Sequence, residues 1–123
     1  MRKGTLMDYA AQVSDCGPYV LINVRGELDV ASESAFRCTM LASIGFGDRP
    51  LVVDMRDVRF CAAAGLNCII TAQKMTRGLG PGVAVAGLTP RVRKAFEITR
   101  LDRVIPVYDT VPQAVEALLL GQA

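Results

Sequence analysis

The chain has 123 residues, of which 51% are hydrophobic and 21% are charged, and its formal net charge is +2. This length and apolar content predict one domain whose core is large enough to fold unaided. The balanced charge and the absence of Trp argue against a nucleic-acid-binding protein, which normally concentrates basic and aromatic side chains on one face. The absence of His removes the commonest general base, so we expect no enzyme activity.

We expect a cytoplasmic protein that inserts in no membrane and holds no metal or other cofactor. Asp8 and Gln12 interrupt the N-terminal stretch before a signal-peptide core can form. No window approaches the run of about 18 apolar residues that a membrane span needs. The cysteines lack the paired spacing of a zinc site, and we expect Cys38 and Cys68 to be buried as small apolar residues. The four cysteines are Cys16, Cys38, Cys61 and Cys68.

The first third of the chain predicts a β-hairpin followed by a helix. The alternating segment 6–13 can pair with the β-rich segment 19–24 across a turn. Ser32 is a suitable N-cap for the apolar face that follows it at helical spacing. We therefore predict a first helix over 33–44, ended by the glycines that come after it.

From residue 51 onward, short apolar strands alternate with helices. Strands are predicted at 51–55, 83–87 and 104–108, and helices after residue 66, from Pro90 and over about 112–120. The order is thus β-β-α-β-α-β-α-β-α. Right-handed crossovers between parallel strands add strands in one direction and stack their helices on a common face. We therefore predict an α/β fold, a small and mostly parallel sheet with an N-terminal antiparallel hairpin and about four helices on one side.

Four segments carry a resemblance to a known family. They are 24–29, the strand and loop over 51–66, 87–92 and 101–108. In this order and at these spacings they resemble the STAS family, the sulphate transporter and anti-sigma factor antagonist domains. The resemblance covers about residues 8–119, and we interpret the whole chain, 1–123, as a single STAS-like domain.

The resemblance implies that the protein regulates transcription as an anti-sigma factor antagonist. Stand-alone bacterial members bind an anti-sigma factor that is also a serine kinase, and thereby free a sigma factor. The kinase ends this binding by phosphorylating a serine in an Asp-Ser-Ser-Gly-Leu motif at the start of the second helix. The corresponding residues here are Ala62 to Leu66, with alanine at the first three positions, so the phosphorylation position is lost at Ala64. Because alanine has no oxygen to accept a phosphate, we expect no switching by this phosphorylation.

The resemblance also implies a partner-binding surface. Asp29 is the first candidate, with the alternative that its side chain only forms an Asx turn before the helix. The start of the third helix at 89–91 is a weaker candidate, because Thr89 is also an ordinary N-cap. Gly65 either allows a close backbone approach or has a conformational role. The other candidates for partner contact are Ala63, Ala64, Gly65 and Asn67.

Three functional hypotheses stay open at this point. In the first, the alanines only start a helix, and partner binding has been lost or moved elsewhere. In the second, the protein docks permanently on a kinase-type anti-sigma factor through Asp29 and the uncharged loop. In the third, it is a redox- or ligand-responsive regulator with another partner, in which the Cys61 thiol has a pKa lowered by the adjacent helix N-terminus. A lipid-transport accessory role and a homodimer formed through an exposed edge strand also stay open.

Overall fold

Strands and helices alternate along the chain in the predicted order. The computed structural model describes residues 9–44, 49–76 and 82–120. The strands are β1 (Tyr9–Asp15), β2 (Val20–Leu28), β3 (Leu51–Cys61), β4 (Val83–Ala86) and β5 (Val107–Tyr108), and the helices are α1 (Glu33–Ile44), α2 (Ala63–Thr76), α3 (Pro90–Ile98) and α4 (Val111–Leu120). The start of the predicted first strand and the glycines expected to end the first two helices, except Gly82, lie outside the described residues.

The five strands form one sheet in the order β1-β2-β3-β4-β5. β1 is antiparallel to β2, and the remaining neighbours are parallel. The hairpin turn places Gly17 at φ 83°, and the Cys16 N–H donates to the Tyr19 carbonyl at 3.0 Å. The predicted α/β fold with its N-terminal hairpin is therefore confirmed. β1 lies at the edge of the sheet, and a homodimer through this edge stays a prediction.

The helices cover both faces of the sheet, which corrects the prediction that they share one side. α1, α2 and α3 bury the larger core, whose side chains include Ile22, Phe36, Val53, Ile69 and Phe96. α4 covers the opposite face, where the buried residues are Val52, Ala84, Ala86 and Ala114. The handedness rule applies to crossovers between parallel strands. Because α4 follows the last strand and is not a crossover, the rule does not determine its side.

β3 is longer than the predicted segment 51–55 and ends at Cys61. Its pairing with β2 shifts register between Asn23 and Arg25 and again between Gly26 and Glu27, so that β3 holds an extra residue at each place. Such bulges let a strand continue through charged residues while its apolar side chains still face the core. The polar residues Asp54, Arg56 and Asp57 interrupt the apolar pattern, so the pattern did not indicate that the strand continues. The β3 side chains in the larger core are Leu51, Val53, Met55, Val58 and Cys61.

β5 is shorter than the predicted strand 104–108. A 3₁₀ turn over Leu101–Arg103 comes first, and the N–H groups of Val104 and Ile105 both donate to the Leu101 carbonyl, at 3.0 and 2.9 Å. Ile105 is nonetheless fully buried, because the turn directs it into the core. The apolar residues of this segment therefore belong to a turn that buries only Leu101 and Ile105, followed by a two-residue strand.

Candidate functional site

The start of α2 packs against the end of β2. Leu28 pairs with Cys61 in the sheet, and the Ala62 N–H donates to the Leu28 carbonyl at 2.7 Å. Ala62 in turn accepts the first helical hydrogen bond, from the Leu66 N–H at 3.1 Å. Because Asp29 directly follows Leu28, these contacts bring the turn after β2 beside the first turn of α2. The two principal segments predicted for partner binding are therefore neighbours.

Gly65 is the closest point of this packing. A Cβ atom built on it would lie 2.7 Å from the Leu28 Cβ, 3.0 Å from the Cys61 Sγ and 3.2 Å from the Leu28 carbonyl oxygen. The residue is buried and is not among the described glycines with positive φ. Gly65 is thus required for space and not for backbone conformation. Its burial corrects the prediction that it presents a surface to a partner.

Asp29 and Ser32 build the turn between β2 and α1. The Ser32 N–H donates to Asp29 Oδ1 at 3.1 Å, and the Asp29 N–H donates to Ser32 Oγ at 3.0 Å. The buried Ser32 hydroxyl donates to the Glu27 carbonyl at 2.8 Å. Asp29 therefore has the Asx-type structural role that was one of its two alternatives. α1 begins after Ser32 as predicted, although this hydroxyl bonds back into the turn.

Four uncharged residues lie on the solvent side of this junction. Ala63 and Asn67 are exposed one helical turn apart, and Ala64 is half-buried. Val30, which was not predicted as a site residue, is 78% exposed in the turn that Asp29 begins. The only sequence signal for Val30 was an apolar residue in a segment without strand or helix periodicity. We call Val30, Ala63, Ala64 and Asn67 the candidate face.

Cys61 points away from solvent beneath the candidate face. It is 5% exposed, and burial raises the pKa of its thiol to about 12. The thiol lies 3.8 Å from the Ala62 carbonyl oxygen, to which it can donate a weak hydrogen bond. The predicted lowering of the Cys61 pKa is wrong, because removal from water disfavours the charged thiolate. A redox role for Cys61 stays a prediction, and its burial disfavours it.

The other cysteines are also free thiols. Cys68 is buried as expected, and its thiol donates to the Glu33 carbonyl at 3.6 Å. Cys38 is exposed, which corrects the prediction that it is buried. It lies on α1 between Phe36 and Met40, the residues that this helix directs into the core, so the helical period turns Cys38 outward.

The start of α3 is fixed against the end of β3. The Thr89 hydroxyl accepts from the Val92 N–H at 3.4 Å and donates to the Val58 carbonyl at 3.4 Å. Thr89 is therefore the predicted N-cap and also a tie to the strand. Arg91, the second residue of α3, has its guanidinium 5.1 Å from the centre of the Phe60 ring. Phe60 precedes the alanine segment, so α3 begins next to the strand end that leads into the candidate face.

Two clefts lie apart from the candidate face. One has a volume of about 260 Å³ and includes Arg93, Glu97 and Asp102 in its lining, and the other has a volume of about 270 Å³ and includes Gln12, Asn23 and Arg25. Neither is lined by a residue predicted for the site. Within residues 9–44, 49–76 and 82–120, no His, Cys, Asp and Glu cluster suits a metal ion. None of the helices in those ranges has the length and apolar content to cross a membrane.

The sheet order, the hairpin and the helix that begins at the alanine segment define a STAS domain, and residues 10–114 match that family. The chain belongs to the STAS domain family. An anti-sigma-B factor antagonist of Bacillus subtilis is 26% identical over 88 residues, covering 72% of this chain and 80% of that protein. An anti-sigma F factor antagonist of Paenibacillus polymyxa is 24% identical over 100 residues, covering 80% of this chain and 86% of that protein.

Solved structures share the fold over most of the chain. The crystal structure of an anti-sigma factor antagonist from Mycobacterium paratuberculosis has a TM-score of 0.83 at 24% identity, and the match covers 89% of this chain and 93% of that one. The anti-sigma factor antagonist SpoIIAA in its unphosphorylated form has a TM-score of 0.73 at 18% identity, with 89% and 96% covered. The Bacillus protein SpoIIAA has also been solved in a phosphorylated form, at a TM-score of 0.67 and 19% identity, with 89% and 99% covered.

Proposed function

We propose that this protein is an anti-sigma factor antagonist that binds a kinase-type anti-sigma factor and stays permanently in the binding-competent form. The observation that carries the proposal is the hydroxyl-free start of α2, where Ala63 and Ala64 occupy the first two helical positions. Relatives that are anti-sigma factor antagonists support the class of partner. The alanines support the absence of the switch.

A phosphate at the start of α2 would change the candidate face strongly. It would add nearly two negative charges beside the unpaired N–H groups of a helix N-terminus. Ala64 has no atom that can accept it. Thr71 is the next hydroxyl along α2 and lies about 10 Å further along the helix axis. Ser32 is buried with its hydroxyl engaged in the turn, so it is a poor substitute.

The candidate face has the character of an interface centre. Ala63 and Val30 are exposed and uncharged, and the centres of protein interfaces are typically depleted of charge. The bonds between Asp29 and Ser32 fix the turn that carries Val30, so little conformational freedom is lost there on binding. Partner contact by the Asp29 carboxylate itself is part of this proposal.

The proposal is tested by calorimetric titration of the protein with the kinase-type anti-sigma factors of the same cell. ATP and Mg²⁺ are present, and the protein mass is measured afterwards. We expect binding without added phosphate. Ala64→Ser restores the missing acceptor, so we expect this variant to gain one phosphate and to lose affinity. Asn67→Ser adds a hydroxyl one turn later on the same helix and should remain unmodified.

Two results would contradict the proposal in different ways. Phosphate on wild-type Thr71 or on the exposed Ser34 would show that another hydroxyl has taken over the switch. A failure to bind any kinase-type anti-sigma factor would remove the proposed partner class and favour a different one. Binding by the wild type together with an unmodified Ala64→Ser variant would contradict the assignment of Ala64 as the lost acceptor position.

A further inference from the structure

Arg91 differs from most described arginines in what its side chain contacts. Five arginines pair with a carboxylate, namely Arg37, Arg49, Arg56, Arg59 and Arg93. Arg91 lies over the half-buried Phe60 ring instead, with 5.1 Å between guanidinium carbon and ring centre. Among the residues that the structure describes, no carboxylate is within ion-pair distance of Arg91. Its charge is therefore held in place but not neutralised there.

The position of Arg91 in its helix is electrostatically unfavourable. It is the second residue of α3, whose first turn contains no acidic residue. A cation near a helix N-terminus faces the positive end of the dipole, which is unfavourable. The Phe60 ring offsets part of this cost, since the face of an aromatic ring attracts a cation. The α3 start thus presents a local excess of positive potential that an external anion would neutralise.

Stacking also defines where the guanidinium donors are. A free arginine side chain loses considerable rotamer freedom when it forms an ion pair, whereas a stacked and planar guanidinium loses less. The start of α3, which carries Arg91, is held against β3, because the Thr89 hydroxyl donates to the Val58 carbonyl. Phe60 is in β3, and Ala63 begins α2 three residues later. The cation therefore belongs to the same end of the domain as the candidate face.

We infer that Arg91, positioned by Phe60, is a specificity contact that receives a carboxylate of the anti-sigma factor. The inference rests on the proposed function and adds the chemistry of the partner. The partner surface carries an apolar group opposite Val30 and the alanines, and an Asp or Glu side chain opposite Arg91. Charge complementarity at the rim of an interface favours correct partners and penalises those with a like charge.

The test measures the affinity of one purified kinase-type anti-sigma factor for a set of variants, at low and at raised salt. We expect Arg91→Glu to weaken binding about tenfold or more, because it places a carboxylate against a carboxylate. Arg91→Lys keeps the charge but loses the planar stack, so a smaller loss of a few-fold is expected. Arg91→Gln should reduce the salt dependence of the dissociation constant. Far-UV circular dichroism establishes that each variant is folded.

Arg103→Glu is the matched control. Arg103 is exposed in the 3₁₀ turn, and its reversal changes the net charge by the same amount as Arg91→Glu. We expect its affinity to stay within about twofold of wild type. Equal losses for both reversals would assign the effect to overall charge and overturn the inference. Wild-type binding with an unaffected Arg91→Glu variant would overturn it while leaving the proposed function intact, and no wild-type binding would overturn both.

Discussion

Replacing Gly65 with alanine tests the packing that positions the candidate face. The added Cβ would lie 2.7 Å from the Leu28 Cβ, whereas ordinary contact begins at 3.4 Å, so the two groups must separate by about 0.7 Å. The Leu28 Cβ is fixed to the backbone and cannot rotate away. The separation therefore has to come from a displacement of the α2 start relative to the end of β2.

Two opposing terms set the size of the effect. Inserting a methyl group into a packed core costs about 1–3 kcal/mol. Alanine is about 1 kcal/mol more favourable than glycine inside a helix. Because the nearest atoms belong to Leu28 and its backbone, we place the packing cost near the upper end of its range. The expected result is a net loss of about 1–2 kcal/mol in the free energy of unfolding.

Urea unfolding followed by far-UV circular dichroism measures this loss, with the m-value expected to stay unchanged. Asn67→Ala is the control on the same helix, and its free energy of unfolding should be equal to or slightly above that of wild type. Amide hydrogen exchange adds a local readout. Displacement of α2 should speed exchange at the Ala62 N–H, which donates to Leu28 at 2.7 Å.

A double-mutant cycle with Cys61→Ala locates the strain. The new Cβ would also approach the Cys61 Sγ, at 3.0 Å, so removing this sulfur should cost less in the Gly65→Ala background than in wild type. Independent, additive effects would show that the sulfur is not part of the strain. A Gly65→Ala variant as stable as wild type or more stable would refute the whole account of why glycine is needed here.

Three further predictions concern the same junction. Burial raises the Cys61 pKa to about 12, so the folded protein keeps a proton that the unfolded chain releases above about pH 9. The free energy of unfolding, measured in urea, should therefore be constant below that pH and fall above it, and the fall should be less steep for Cys61→Ala. Equal slopes for the two proteins would contradict the raised pKa. Ala62→Asp supplies the side-chain oxygen that the start of α2 lacks and should raise the free energy of unfolding by about 1 kcal/mol. Ala62→Asn is the uncharged comparison. If neither variant is more stable than wild type, the expectation is contradicted. Ser32→Ala should lower the free energy of unfolding by about 1–3 kcal/mol in the same assay, because it leaves buried groups of the turn unpaired. Ser34→Ala, at an exposed position, should change the free energy of unfolding little. Similar small effects for both variants would contradict the role of Ser32.

The sequence predicted the order of elements because each apolar segment has a clear period. The α1 bounds, 33–44, and the start of α3 at Pro90 agree with the structure, since Ser32, the glycines after residue 44 and the proline mark these boundaries in the sequence. The later part of β3 was missed because its two bulges break the alternation. The side of α4 was missed because handedness rules constrain crossovers and not a terminal helix.

The site was predictable where it depends on local chemistry and not where it depends on packing. The proposed loss of the phosphorylation position rests on the alanines at 62–64 read together with the resemblance to the STAS family, and it stays a prediction. The burial of Gly65 and the raised pKa of Cys61 arise from the approach of α2 to Leu28, and this distance has no signature in the spacing of residues. The contact between Phe60 and Arg91 joins two elements about thirty residues apart in the chain, and the sequence pattern did not predict it either.

The contacts that hold the candidate face in shape are made by other groups than the positions that could carry a phosphate. Gly65, the bond between Ala62 and Leu28, and the pairing of Asp29 with Ser32 hold the turn and the helix start together without any hydroxyl at Ala63 or Ala64. Under the proposed function, alanine in place of the motif's three polar residues would remove the phosphate acceptor, while none of these contacts depends on the side chains that are absent. A face that keeps its shape and loses only its acceptor is what a constitutive antagonist requires. On this reasoning the affinity of the wild type should be independent of ATP, and that of Ala64→Ser should fall when ATP is added.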